Sequence, residues 1–185
     1  MRLETRTPIL FTLMAAVFMA GAVPLVTADS ASALDCEPSD FVTGGGFIVF
    51  PNGAHGNFGV AGGCKNGAFW GHLEYVDHGS GLAPASAPTP FRVHGTEVIG
   101  YVSFDATTRE FAGRAETNDP NHPTVTYCVR VTDNGEGQSG TGDFFGIELS
   151  NDSLFYFAFD TLVSGNIQPQ KGNQPPNGVC FIPPP

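Results

Sequence analysis

Residues 71–78 read GHLEYVDH and place two imidazoles and two carboxylates within eight positions. Imidazole nitrogens and carboxylate oxygens are ligands for zinc-like ions, at bond lengths of about 2.0–2.2 Å. They are equally the groups that move protons in general acid–base chemistry. Which of them can act together depends on the backbone between them. If the stretch is a strand, Trp70, His72, Glu74, Val76 and His78 share one face, and Leu73, Tyr75 and Asp77 share the other. His72 and His78 then stand roughly 20 Å apart, too far to share an ion. His72 and Glu74 could supply two ligands, with His94 as the one third ligand that a neighbouring strand offers. Two ligands with a third of unknown register make a thin set. A hydrogen-bonded or solvent-facing pair is the preferred reading, and neither a metal nor another cofactor is expected.

The same residues admit another chemistry. A large aromatic beside groups that donate and accept hydrogen bonds is what a sugar-binding or protein-binding strand presents, which makes Trp70, His72, Glu74 and His94 the candidate ligand-binding residues. The competing and preferred expectation packs this face on a second sheet, with Trp70 in the core and His72 paired to Glu74 beneath it.

Other stretches carry less. GGGFIVFPNGAHGNFGVAGG, residues 44–63, is glycine-rich but lacks the Lys-Ser or Lys-Thr and the following helix of a phosphate loop. Its glycines read as bulges or close backbone approaches. Asp133, Asn134, Glu136 and Asp143 offer oxygens to calcium, yet their spacing is not that of an EF-hand and Asn-Gly is a turn signal, so a polar hairpin loop is expected. No GxSxG is present; for paired carboxylates of glycoside hydrolysis Glu74, Glu97, Glu110, Glu116 and Glu148 are all available, but nothing in the sequence brings any two of them together. No catalytic residue is assigned.

The elements that must position these groups are strands. Glycine and proline punctuate segments rich in Val, Phe, Tyr, Ile and Thr, and several segments alternate with period two. Strands are predicted near 41–50, 57–60, 68–77, 91–96, 98–104, 109–117, 124–132, 144–149, 154–159 and 162–168. In residues 125–132, Val125, Tyr127, Val129 and Val131 face one way and Thr126, Cys128, Arg130 and Thr132 the other. Asp105 to Thr108 reads as a hairpin turn, Asp119 to Pro123 as a break that two prolines enforce, and residues 83–90, APASAPTP, as a loop long enough to be mobile. The fold class expected is all-β: a single antiparallel sandwich or partly closed barrel of about eight to ten short strands.

The ends decide location. Arg2 and Arg6 precede an apolar run from Ile9 to about Val26, and Ala31-Ser32-Ala33 fits a cleavage site, the layout of a secretory signal peptide over residues 1–33. Cutting after Ala28 is the second choice. The domain then spans 34–171, followed by a proline-rich tail, 172–185, without a sorting signal or hydrophobic anchor. Asp35 beside Cys36 argues against lipid attachment. The four cysteines, Cys36, Cys64, Cys128 and Cys180, read as two disulfides of an exported chain, with Cys36–Cys180 and Cys64–Cys128 the preferred pairing. A net charge of −10 with no basic cluster makes nucleic acid and anionic membranes poor partners.

Five phrases in order, FVTGGGFI at 41–48, GHLEYVDH at 71–78, VHGTEV at 93–98, VTDNGEG at 131–137 and GNIQ at 165–168, resemble a domain of unknown function of the post-COAP type found in exported bacterial proteins. The resemblance covers about residues 41–171 and implies an exported β-rich module without established catalytic residues. The chain departs from that pattern in the APASAPTP insertion and in Gln170, where a histidine is common. The function expected is a secreted, disulfide-stabilised binding or structural component at or beyond the cell surface, with a glycan or surface protein as partner. The alternative is a secreted hydrolase using carboxylates in a cleft.

Overall fold

A computed structural model describes Cys36 and residues 39–135 and 142–170. The described residues form strands and loops, with no helix among them: β1 Asp40–Val49, β2 His55–Lys65, β3 Ala68–Asp77, β4 Phe91–Ser103, β5 Thr108–Thr117, β6 Thr124–Thr132, β7 Phe144–Ser150, β8 Phe155–Thr161 and β9 Ser164–Gln170. All pair antiparallel in one sheet ordered β8-β7-β6-β5-β4-β3-β2-β1-β9. The sheet curls into a half-barrel. Of the two architectures expected, the partly closed barrel is the one formed, and its predicted signal peptide and tail lie outside the described residues.

Curling buries one face of the sheet against itself. Phe58 on β2 stacks on Phe145 on β7, centroids 3.9 Å apart. Tyr75 on β3 and Tyr156 on β8 join hydroxyls at 2.7 Å, and Asp143, ahead of β7, accepts the Ile167 N–H of β9 at 2.7 Å. Arg109 of β5 donates to Asp40 of β1 at 3.3 Å, both buried. The hydrophobic core runs through Val42, Leu73, Phe91, Phe111, Tyr127 and Ile147. Burial lifts the Tyr75 and Tyr156 phenols above their ordinary range, so both hydroxyls stay protonated.

Period-two alternation explains β6 as expected. Val125, Tyr127, Val129 and Val131 lie in the core, while on the other face Arg130 is buried by its ion pair to Glu110 at 2.9 Å. Two predicted strands, 91–96 and 98–104, are one strand, β4. Register shifts between Gly95 and Glu97 and between Val98 and Gly100 reverse the alternation, which in sequence looks like a break. The carbonyl that the bulge turns out, Glu97 O, accepts the Tyr127 hydroxyl at 3.1 Å. It also lies where a Gly113 side chain would be, 1.8 Å from its Cβ position, so this glycine is required. β2 runs past Val60 to Lys65 because Gly62 lets the Phe111 ring approach to 2.6 Å of the Cβ position.

The predicted disulfide pairing is corrected. Cys36 is bonded to Cys64, with Cα atoms 5.1 Å apart. Asp40 pairs with Cys64 across β1 and β2, which carries the chain just before β1 past Cys64. Cys64 and Cys128 could not meet: Cys64 belongs to the core cluster, whereas Cys128 alternates against the core residues Tyr127 and Val129. Cys128 is also disulfide-bonded; Cys180 lies outside the described residues. The 83–90 loop is docked rather than free. Ala83 and Ala87 pack on the core and Asn118 Nδ2 donates to the Pro90 carbonyl at 2.9 Å.

Phe145 touches both Phe58 and Tyr75. Phe145→Ala should therefore lower the unfolding free energy by about 3–5 kcal/mol in urea denaturation; a loss below about 1 kcal/mol would mean that the two ends of the sheet do not depend on this contact.

Candidate functional site

The face carrying Trp70, His72 and Glu74 points outward. No second sheet covers it among the described residues; Trp70 is 38% exposed, and His72 and Glu74 are exposed. The expectation of a buried Trp70 above a His72–Glu74 pair is thus overturned. The sheet curls toward its other face, where Leu73 and Tyr75 of β3 are fully buried.

Cross-strand register builds the outer face into rows. Asn166, Gly45, Gly59, Glu74, His94 and Glu116 follow one another from β9 to β5. The next row along the strands holds Gln168, Thr43, Ala61 and His72. Glu74 takes His94, not His72, as its partner: its carboxylate meets His94 Nδ1, with both side chains more than half exposed. Solvent screening limits such a pair to a fraction of a kcal/mol, up to about 1. The Trp70 ring is partly occupied. Phe41 meets it edge-on at 5.6 Å, and the Lys65 ammonium lies 4.5 Å from its centroid. Beside the ridge is an open groove of about 400 Å³, with Phe47 and Val76 as apolar walls and Asn57, Glu74 and Ser164 as polar ones.

The rest of GHLEYVDH is structural. Asp77, 1% exposed, accepts the N–H groups of Gly79 and Ser80 at 2.9 and 2.7 Å and the Tyr156 hydroxyl at 3.2 Å, which closes the turn after β3. His78 stands exposed beyond it. Asp143 is similarly spent: its carboxylate takes N–H donors from Asn134 at 3.0 Å and from Ile167. Asp133 accepts the Gly135 N–H, and Glu136 lies outside the described residues. Among the described residues no three His, Cys, Asp or Glu side chains are grouped to hold a metal ion.

Of the five carboxylates weighed for hydrolysis, Glu74 and Glu116 stand two strands apart in the row through His94. Glu97 pairs with Arg114 at 3.3 Å and Glu110 with Arg130. Glu116 borders a second groove, of about 350 Å³, with Thr96, Arg114 and Asn151. Glu148 is raised above the ordinary carboxyl range by burial on β7. Glu74 is the one of the five that lines the larger groove.

Sequence reasoning missed one close pair. In the turn 119–123, His122 Nδ1 lies 2.6 Å from Asp119 Oδ2. Burial alone would raise the Asp119 carboxyl, but hydrogen bonds from His122, Ser86 and the Asn121 N–H outweigh it and hold the group below its ordinary range. The Asp-x-x-His spacing across Pro120, with Pro123 following, was the available signal. Because Ser86 belongs to the 83–90 loop, the carboxylate fastens that loop to the 119–123 turn.

A depressed carboxyl stabilises the fold above its unfolded value near 4, and that contribution is lost as pH falls through the lower folded value. Asp119→Asn should cost about 1–3 kcal/mol at pH 7 and flatten the acid limb of stability below about pH 4. Urea titrations across that range decide it; an unchanged acid limb contradicts the assignment. In comparisons with known proteins the chain matches no family model, no curated protein and no solved structure, so its own geometry carries the functional reading.

Proposed function

We propose that this protein is a secreted, disulfide-stabilised β-module that acts by binding a glycan or surface protein at or beyond the cell surface. The observation that carries the reading is the outward display of Trp70, His72, Glu74 and His94 on β3 and β4, in a fold whose other face is packed with side chains. A ligand would engage this module on the outside of its sheet. The Cys36–Cys64 bridge favours an oxidising compartment, as does the signal-peptide layout of residues 1–33. Resemblance to the post-COAP type of exported domain points the same way. A hydrolase would need two carboxylates facing one substrate; Glu110 is committed to a buried ion pair with Arg130, and Glu74 alone of the five lines the larger groove.

Because these side chains are exposed, replacing His72 and Glu74 together by alanine should cost less than about 1 kcal/mol of stability. The same variant should lose its retention on cell envelopes of the producing organism in a sedimentation assay. A variant sedimenting with envelopes as the parent protein does would remove this face from the binding site.

A further inference from the structure

The groove beside Glu74 specifies a class of ligand more closely than the ridge does. We infer that it binds hexopyranose units of a neutral glycan, an inference that rests on the binding reading above. Its walls set the apolar side chains Phe47 and Val76 near the Asn57 amide, the Glu74 carboxylate and the Ser164 hydroxyl. Register places these groups in adjoining rows: Ser164, Phe47, Asn57 and Val76 succeed one another from β9 to β3, and Glu74 is two residues from Val76. Apolar contact surface with hydrogen-bonding groups close beside it matches a pyranose, whose ring faces present C–H groups and whose rim presents hydroxyls.

Two alternatives fit less well. An extended peptide gains affinity by pairing its backbone along a free sheet edge, but β1, β2 and β3 here are each paired on both sides, and only Ser164 and Gly165 of the edge strand β9 border the groove. An anionic polymer meets no lysine or arginine among the lining residues, and it meets Glu74 in a chain of net charge −10.

The floor is open where packing does not require it to be. A Cβ added at Gly59 would have no neighbour within 4 Å, and the residue does not adopt the left-handed backbone that would demand glycine. Glycine weakens a strand interior, so a larger residue at this position should suit the fold and obstruct the groove. Gly62 and Gly113 differ, since packing or backbone approach forbids a side chain at each.

The test uses the secreted protein, a set of insoluble neutral hexopyranose polysaccharides (cellulose, mannan and chitin), an anionic one (pectate) and a cationic one (chitosan). The parent protein should be retained on at least one neutral polysaccharide, and retention should persist in about 0.5 M NaCl, where charge attraction is screened within a few ångströms. Gly59→Val should weaken that retention roughly tenfold or more, the scale of inserting methyl groups into contact space, with a melting temperature equal to or above the parent's. Gly59→Ala should fall between the two and guards against a folding defect in the valine variant. Retention on pectate or chitosan alone, or undiminished retention of a folded Gly59→Val, overturns the inference. If the protein sediments with cell envelopes through His72 and Glu74 yet ignores every neutral polysaccharide, the glycan assignment fails and the binding reading stands.

Discussion

The stack of Phe58 on Phe145 joins strands that stand five places apart in the sheet order. A single sheet with no second layer can bury apolar area only by turning one face in on itself, and a contact between β2 and β7 is what that turn produces. The other features follow from the same geometry. The Tyr75 and Tyr156 hydroxyls meet from β3 and β8, likewise five places apart, and Asp143 reaches from the start of β7 to the backbone of β9. Each group finds across the interior the partner that burial demands. The side chains that alternate away from this interior on β1 to β3 are consequently left for solvent or a ligand.

This division fixes where chemistry can occur. The titratable groups within or just beyond the interior are committed to the fold: Asp77 to a turn, Asp119 to a loop, Asp40 to Arg109. Removing one partner of a buried ion pair such as Asp40–Arg109 leaves an uncompensated charge at a cost of about 3–5 kcal/mol. The outer face carries pairs of the opposite kind, exposed and weakly coupled, such as Glu74 with His94 and Glu97 with Arg114. Side chains of that sort can exchange an intramolecular partner for a ligand at small cost.

Much of the fold was legible because strand alternation leaves a direct trace. Val125, Tyr127, Val129 and Val131 announced their core face, and Asp105 announced its turn, accepting the Thr107 and Thr108 N–H groups at 2.8 and 2.7 Å. What misled was alternation interrupted by a bulge, which made β4 look like two strands, and glycine replacing the side chains that mark a strand, which cut β2 short at Val60. The direction of curl was not legible, because either face of β3 reads as a plausible core: one carries Trp70 and Val76, the other Leu73 and Tyr75. Global closure decided between them. The Cys36–Cys64 bridge was hidden for the same reason, since it depends on where the segment before β1 runs relative to β2.

The central claim is that the interior serves the fold and the outer face of β1 to β4 serves binding. An amide-resolved NMR titration of the isotopically labelled protein with a soluble oligosaccharide of whichever polysaccharide retains it tests this most directly. The account predicts shift changes confined to outward positions and their neighbours on β1 to β4 and β9, centred on Phe47, Asn57, Gly59 and Glu74, with the core amides of β6 and β7 unmoved. Changes centred on β5 to β8, or spread through the core, would contradict it.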